Sequence, residues 1–151
     1  MITRKHLPIL LTLGLPFASA CVYSPPSGWW AFDLVDADDG CNLDPSDDLD
    51  MEMEVGDDEV VLWADDGGLS VDREGNEFFF SDTYADNYGD FTLYLDEIID
   101  GRFTSGHSAE LTIELALDYS SRPGVTVTNL EINGASVPCS TIMYYDGEFD
   151  E

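Results

Sequence analysis

Hydrophobic and polar residues alternate along most of the chain after residue 28. The strictest case is the segment 49–55, in which leucine, two methionines and valine occupy every second position and three carboxylates occupy the positions between them. A period of two is that of a β-strand with one buried face, whereas a helix would spread both sets of residues around its circumference. The pattern therefore predicts strands with one apolar face and one acidic face.

The same alternation and the turn residues between the segments predict the remaining strands. Glu74-Gly75-Asn76 and Asn133-Gly134 are typical of hairpin turns, Asp100-Gly101 predicts a turn or a bulge, and Pro138 predicts an edge position or a bulge. The segments with a strand-like pattern are residues 30–35, 49–55, 59–64, 69–73, 77–81, 91–95, 98–104, 109–119, 125–132 and 135–144. With no convincing helix, the expected fold class is all-β, a single antiparallel up-and-down barrel or β-sandwich of about eight to nine strands.

The first twenty residues have a different character. Arg4, Lys5 and His6 precede the apolar stretch 7–17, which is too short to span a bilayer as a helix, and Ala18-Ser19-Ala20 then supplies small residues. This order is that of a signal peptide cleaved before Cys21. The predicted organisation is a signal peptide over 1–20, an anchor and extended tether over 21–28, and one all-β domain over 29–151.

Ala18-Ser19-Ala20-Cys21 resembles the lipobox of bacterial lipoproteins, although Ala18 stands where that family usually has leucine. The resemblance implies that Cys21 carries lipid and that the membrane is a partner through this lipid. It places the protein in the bacterial cell envelope, at the outer membrane in a Gram-negative cell because Val22 replaces the aspartate of inner-membrane members. The alternative is a secreted protein in which Cys21 is an unmodified N-terminus.

Gly28-Trp29-Trp30 is similar to the G-x-W motif that opens lipocalin-like barrels. This resemblance implies an up-and-down barrel that carries a small ligand in its interior. It supplies the alternative function, a lipocalin-like or sandwich carrier that binds a small ligand, a glycan or calcium.

Charge narrows the possible partners. The full chain has 32 acidic residues and a formal charge of −27, and loss of residues 1–20 removes two of its five basic residues, leaving −29. Such a surface repels nucleic acid and attracts cations or basic partners, so we expect no nucleic-acid binding.

The cysteine count indicates one disulfide. If lipid occupies Cys21, then Cys41 and Cys139 remain as a pair in an oxidising compartment. The alternative is two free, buried thiols.

Signals of catalysis are scarce, so the sequence predicts no enzyme. His107 is the only histidine after the signal peptide, and the chain lacks the G-x-S-x-G, H-E-x-x-H and phosphate-loop motifs. We expect a structural or binding role without a required cofactor.

Two candidate binding chemistries remain. Calcium prefers oxygen ligands, and two acidic stretches supply carboxylates without the EF-hand spacing. The candidate calcium ligands are Asp36, Asp38, Asp39, Asp44, Asp82, Asp86 and Asp90. Exposed aromatic side chains would suit a sugar or small ligand. The candidates for that site are Trp29, Trp63, Tyr84 and Tyr88.

Overall fold

The structure is a computed structural model that describes residues 21–64 and 67–150. These residues form ten strands and no helix, and they therefore contain no helix that could cross a membrane. The strands are β1 Gly28–Asp39, β2 Asp48–Val55, β3 Glu59–Ala64, β4 Gly67–Glu74, β5 Glu77–Asn87, β6 Phe91–Phe103, β7 Ser108–Ser121, β8 Glu131–Ile132, β9 Ala135–Ser136 and β10 Cys139–Phe149. The all-β prediction is confirmed.

Eight strands close into one antiparallel barrel. Neighbours follow chain order from β1 to β7, and β10 completes the circle between β7 and β1. The strands β8 and β9 form a separate two-stranded hairpin across Asn133 and Gly134, which both have positive φ as that turn type requires. Of the two predicted architectures, the up-and-down barrel is the correct one.

Aromatic rings fill the interior of the barrel. Trp30, Phe32, Phe78 and Phe103 are at most 1% exposed. The ring centres of Phe78 and Phe103 lie 5.1 Å apart, and those of Trp30 and Phe103 lie 5.7 Å apart. Both separations fall in the range of favourable aromatic pairs, so the centre is a packed core.

Two inward-facing glycines make room for these rings. A Cβ atom on Gly101 would lie 2.0 Å from the Phe78 ring, and one on Gly147 would lie 2.3 Å from the Phe32 ring. Small residues opposite large ones are how small barrels fit their taper. The expectation of a turn or bulge at Asp100-Gly101 is therefore wrong, because Gly101 pairs with Phe78 and Leu111 inside one continuous strand, β6.

The structure also corrects other strand boundaries. β5 runs to Asn87 instead of ending at residue 81, because residues 80–87 pair with β6 as well. Within the predicted strand 125–132 only Glu131 and Ile132 form a strand, and Pro138 lies in the break between β9 and β10.

The barrel strands have unequal lengths, and the long ones support a second core. β5, β6, β7, β10 and β1 extend beyond the shorter strands β2, β3 and β4. A small cluster centred on Cys41, Leu117 and Val137 covers this extension together with the loops on either side of β8 and β9. The disulfide belongs to this second core.

Candidate functional site

The segment before β1 lies against one end of the barrel. Cys21 is exposed and has a free thiol, and its carbonyl oxygen accepts a hydrogen bond of 2.8 Å from the Asn76 side chain. The Tyr23 amide donates to Asn76 Oδ1 at 2.7 Å, and Pro25 is buried. Residues 21–27 of the predicted tether form no helix or strand, yet these contacts dock them on the β4–β5 turn.

Arg73 holds this segment in place from β4. Its Nη2 donates to the Tyr23 carbonyl at 2.9 Å, and its Nε donates to the Gly75 carbonyl at 2.8 Å. The guanidinium carbon lies 5.3 Å from the centre of the Phe103 ring, within range of a cation–π contact. The only sign of this role in the sequence is that Arg73 is a rare arginine among acidic neighbours.

The predicted disulfide is present between Cys41 and Cys139, whose Cα atoms lie 5.3 Å apart. It joins the loop after β1 to the first residue of β10. Because β10 pairs with β1, the bridge closes the same seam that closes the barrel.

Asp39, one of the candidate calcium ligands, organises the loop beside this bridge. Its carboxylate accepts hydrogen bonds from the Leu43 amide at 2.8 Å, the Asp44 amide at 3.0 Å and the Thr141 hydroxyl at 2.7 Å. These bonds favour the ionised form, led by the bond from Leu43, and lower the pKa of Asp39 below its ordinary value. Both oxygens of the Asp39 carboxylate therefore already accept hydrogen bonds from the protein itself.

The other candidate calcium ligands are spread over two regions. Near the disulfide lie Asp36 and Asp38 on β1 and Asp44 in the loop that follows; on the opposite side lie Asp82 and Asp86 on β5 and Asp90 in the β5–β6 turn. Over residues 21–64 and 67–150 no three acidic, histidine or cysteine side chains come together in a group that could hold a metal ion. The seven candidate carboxylates therefore do not form such a group in the part of the chain that the structure describes.

Tyr84 and Tyr88 lie at the far end of β5, away from the two tryptophans. Partial desolvation, with the nearby carboxylates of Glu97 and Asp82, raises the pKa of Tyr84. Tyr88 stacks on Phe91, with ring centres 5.1 Å apart, so its ring packs the tip of the β5–β6 hairpin. These two tyrosines and the tryptophans do not form one site.

Trp29 and Trp63 belong to one row across the outer wall of the barrel. Trp29 pairs with Glu52 on β2, and Glu52 pairs with Trp63 on β3. Directly paired residues of an antiparallel sheet point to the same face, and here that face is the solvent side, because Trp29 is 57% exposed and Trp63 is 41% exposed. We call Trp29, Glu52 and Trp63 the tryptophan row.

The surroundings of the row add backbone support and carboxylates. A Cβ atom on Gly68, the partner of Trp63 on β4, would lie 3.0 Å from the Trp63 ring, so the indole rests over the glycine backbone. Beside Trp29 lies a surface concavity of about 130 Å³ whose wall includes Asp50 and Asp150. Residue type predicted the two tryptophans as candidates, but these carboxylates could not be predicted, because strand register is not local information.

His107 lies exposed in the turn between β6 and β7. Its ring centre lies 6.0 Å from that of Phe149, and its backbone amide donates to the Ser105 hydroxyl at 3.1 Å. Among the described residues its imidazole has no side-chain hydrogen-bond partner, so the geometry assembles no nucleophile and base around it.

Neither protein-family models, nor curated proteins, nor solved structures give a match to this chain, so its function is inferred from its own residues and geometry.

Proposed function

We propose that this protein is an exported, acidic module of the cell envelope, anchored through a lipid on Cys21, with a structural or binding role and no catalytic activity. Its interactions are made on the outer surface of the barrel. The packed interior is the observation that carries this proposal.

The interior leaves little room for a carrier function. The barrel centre holds the side chains of Trp30, Phe32, Phe78 and Phe103, each almost fully buried. A carrier of the lipocalin-like kind needs a cavity that encloses most of its ligand. Binding therefore falls to the outer wall, where the carboxylates and the exposed tryptophans lie.

The position of Cys21 is compatible with a lipid. Its side chain is exposed, and its backbone is held at the end of the barrel by Asn76. A thioether and acyl chains on this residue would extend away from the core without disturbing it. Two or more acyl chains anchor a protein stably, whereas one acyl chain gives only marginal membrane binding.

The test is the intact mass of the protein extracted from membranes of a bacterial host. We expect a mass that corresponds to a chain beginning at Cys21 with a diacylglyceryl and an acyl group. The Cys21→Ser variant should lose this mass and move to the soluble fraction. The Ser24→Ala variant, changed at an exposed position of the same segment, should stay in the membrane. An unmodified Cys21 terminus, or an unchanged location of Cys21→Ser, would contradict the anchor.

A further inference from the structure

We propose that the tryptophan row is a docking surface for an extended, basic segment of a protein partner. Two Arg or Lys side chains of that segment lie against the indoles of Trp29 and Trp63, and Glu52 receives their charge between them. This inference deepens the proposed function, on which it rests, by naming the class of partner and the surface that meets it.

Strand pairing fixes the spacing of the row. Trp29, Glu52 and Trp63 lie on three successive strands, and adjacent strands are 4.7–4.9 Å apart, so the two tryptophan backbones are separated by about 10 Å. The Asp150 amide donates to the Trp29 carbonyl at 2.9 Å, which places a second carboxylate on the outer side of Trp29. Asp150 and the row together therefore alternate carboxylate, indole, carboxylate and indole.

Each tryptophan has a defined backbone position before any partner arrives. The Trp63 ring rests over the backbone of Gly68, and the Trp29 backbone is held by its pairing with Glu52 and by the hydrogen bond from the Asp150 amide. Both rings still expose about half of their surface, at 57% for Trp29 and 41% for Trp63. Because the Trp63 indole already lies against the Gly68 backbone, an incoming group meets a preformed flat surface there.

Charge selects the occupant. Outward-facing carboxylates surround the row, namely Asp50 and Glu54 on β2, Glu148 on β10 and Asp150 directly after β10. The arginines of the described chain are elsewhere: Arg73 holds the N-terminal segment, Arg102 pairs with Glu110 at 2.7 Å, and Arg122 follows β7. The face is therefore uniformly acidic.

A cation gains from both components of this face, since the indole quadrupole and the carboxylates attract the same charge. A second copy of the chain would bring its own carboxylates into contact, and an anionic membrane would be repelled. A neutral sugar could stack on the rings, but the surrounding charge would contribute nothing to its binding.

The spacing of the row also suggests the form of the segment. In a polyproline II conformation, residues three apart lie on one face about 9 Å from each other. Two basic residues at positions i and i+3 would therefore reach the two indoles together. The partner segment that fits the row has the pattern cation-x-x-cation in an extended conformation.

The test is a titration of the purified protein with the peptide acetyl-Arg-Pro-Pro-Arg-amide, followed by the three indole N–H signals in NMR spectra. We expect the signals of Trp29 and Trp63 to shift. Trp30 is the internal control, because it is buried and its Nε1 donates to the Pro26 carbonyl.

Matched variants separate a specific surface from general charge attraction. We expect Trp29→Ala and Trp63→Ala each to raise the Kd about threefold to tenfold. Tyr144→Ala, which removes an exposed aromatic ring outside the row, should leave the Kd unchanged. In the same way Glu52→Gln should weaken binding more than Asp100→Asn, an exposed carboxylate of β6.

Three results would overturn the inference: no indole shift with the peptide, equal effects of the row variants and their controls, or shifts with a neutral tetrasaccharide such as maltotetraose but not with the peptide. The lipid on Cys21 is tested separately, by the intact mass of the protein. A protein that binds the peptide through the row but carries no lipid would contradict only the anchor.

Discussion

Thr141 lies opposite Asp39 where β1 pairs with β10, and its hydroxyl donates a hydrogen bond of 2.7 Å to Asp39 Oδ1. Thr141 is fully buried, and its oxygen also accepts a bond of 3.3 Å from the Cys41 amide. One side-chain pair thus connects the closing seam of the barrel with the loop that carries the disulfide. Loss of the Asp39 charge should therefore weaken both the pairing of β1 with β10 and the loop that carries the disulfide.

We expect Asp39→Asn to lower the free energy of unfolding at pH 7 and to reduce its dependence on acid. Hydrogen bonds, first from Leu43 and then from Thr141, lower the pKa of Asp39 below its ordinary value in the folded protein. This contribution to stability is present above the pKa of the unfolded chain and is lost as pH falls through the lower, folded pKa. Urea unfolding at pH 7 and in steps below pH 4 measures it.

Asp38→Asn is the matched control for that measurement, since Asp38 is the preceding, exposed residue of β1. If both variants show the same acid dependence as the unchanged protein, the Asp39 network does not contribute in the way described.

Reduction of the disulfide should destabilise the domain by about 2–5 kcal/mol, because Cys41 and Cys139 close a long loop in the unfolded chain. They are 98 residues apart in sequence. Guanidinium unfolding of the oxidised protein and of the Cys41→Ala/Cys139→Ala variant gives the difference. Equal midpoints would show that the seam is held by strand pairing alone.

The glycines that face the aromatic core should not tolerate a methyl group. Gly101→Ala and Gly147→Ala each force a Cβ into a phenylalanine ring, at 2.0 Å and 2.3 Å, and we expect each to cost about 1–3 kcal/mol from overpacking. Gly106→Ala is the control, because its Cβ would meet nothing within 4 Å. Thermal unfolding compares the three.

A second variant tests whether the ring is the cause. Gly101→Ala combined with Phe78→Leu should recover part of the loss, since the shorter side chain leaves space for the methyl group. Additive losses in the double variant would place the defect elsewhere.

Monovalent salt should raise the melting temperature. The formal charge is −27 for the full chain and −29 if residues 1–20 are removed as predicted. Screening of like charges within a Debye length relieves repulsion in the folded state. Melting curves in sodium chloride from about 10 mM to 1 M test this, because the Debye length falls from about 30 Å to 3 Å over that range. An unchanged melting temperature would show that the carboxylates are too far apart to destabilise the fold.

The local pattern predicted the faces of the strands, and pairing between distant strands decided the rest. Alternation placed Met51 and Met53 inside and Glu52 outside, as found, because successive side chains of a strand point to opposite faces. It could not distinguish a barrel from a sandwich, because that depends on the pairing of β1 with β10, more than a hundred residues apart for Trp30 and Phe149.

The errors have the same origin. Asp100-Gly101 looks like a turn in sequence, but Gly101 is explained by the Phe78 ring of the neighbouring strand. The tryptophan row also depends on register: nothing local in residues 29, 52 and 63 indicates that they are neighbours. Residue type alone made Asp39 a candidate calcium ligand. It could not show that the amides of Leu43 and Asp44 donate hydrogen bonds to this carboxylate.

The hydrogen bonds of Asn76 with Cys21 and Tyr23 fix the first residues of the described chain directly on the barrel. A lipid on Cys21 would therefore hold the barrel close to the bilayer in one orientation, instead of allowing it to rotate freely on a flexible linker. Any partner approaching along the membrane would meet the same side of the barrel each time.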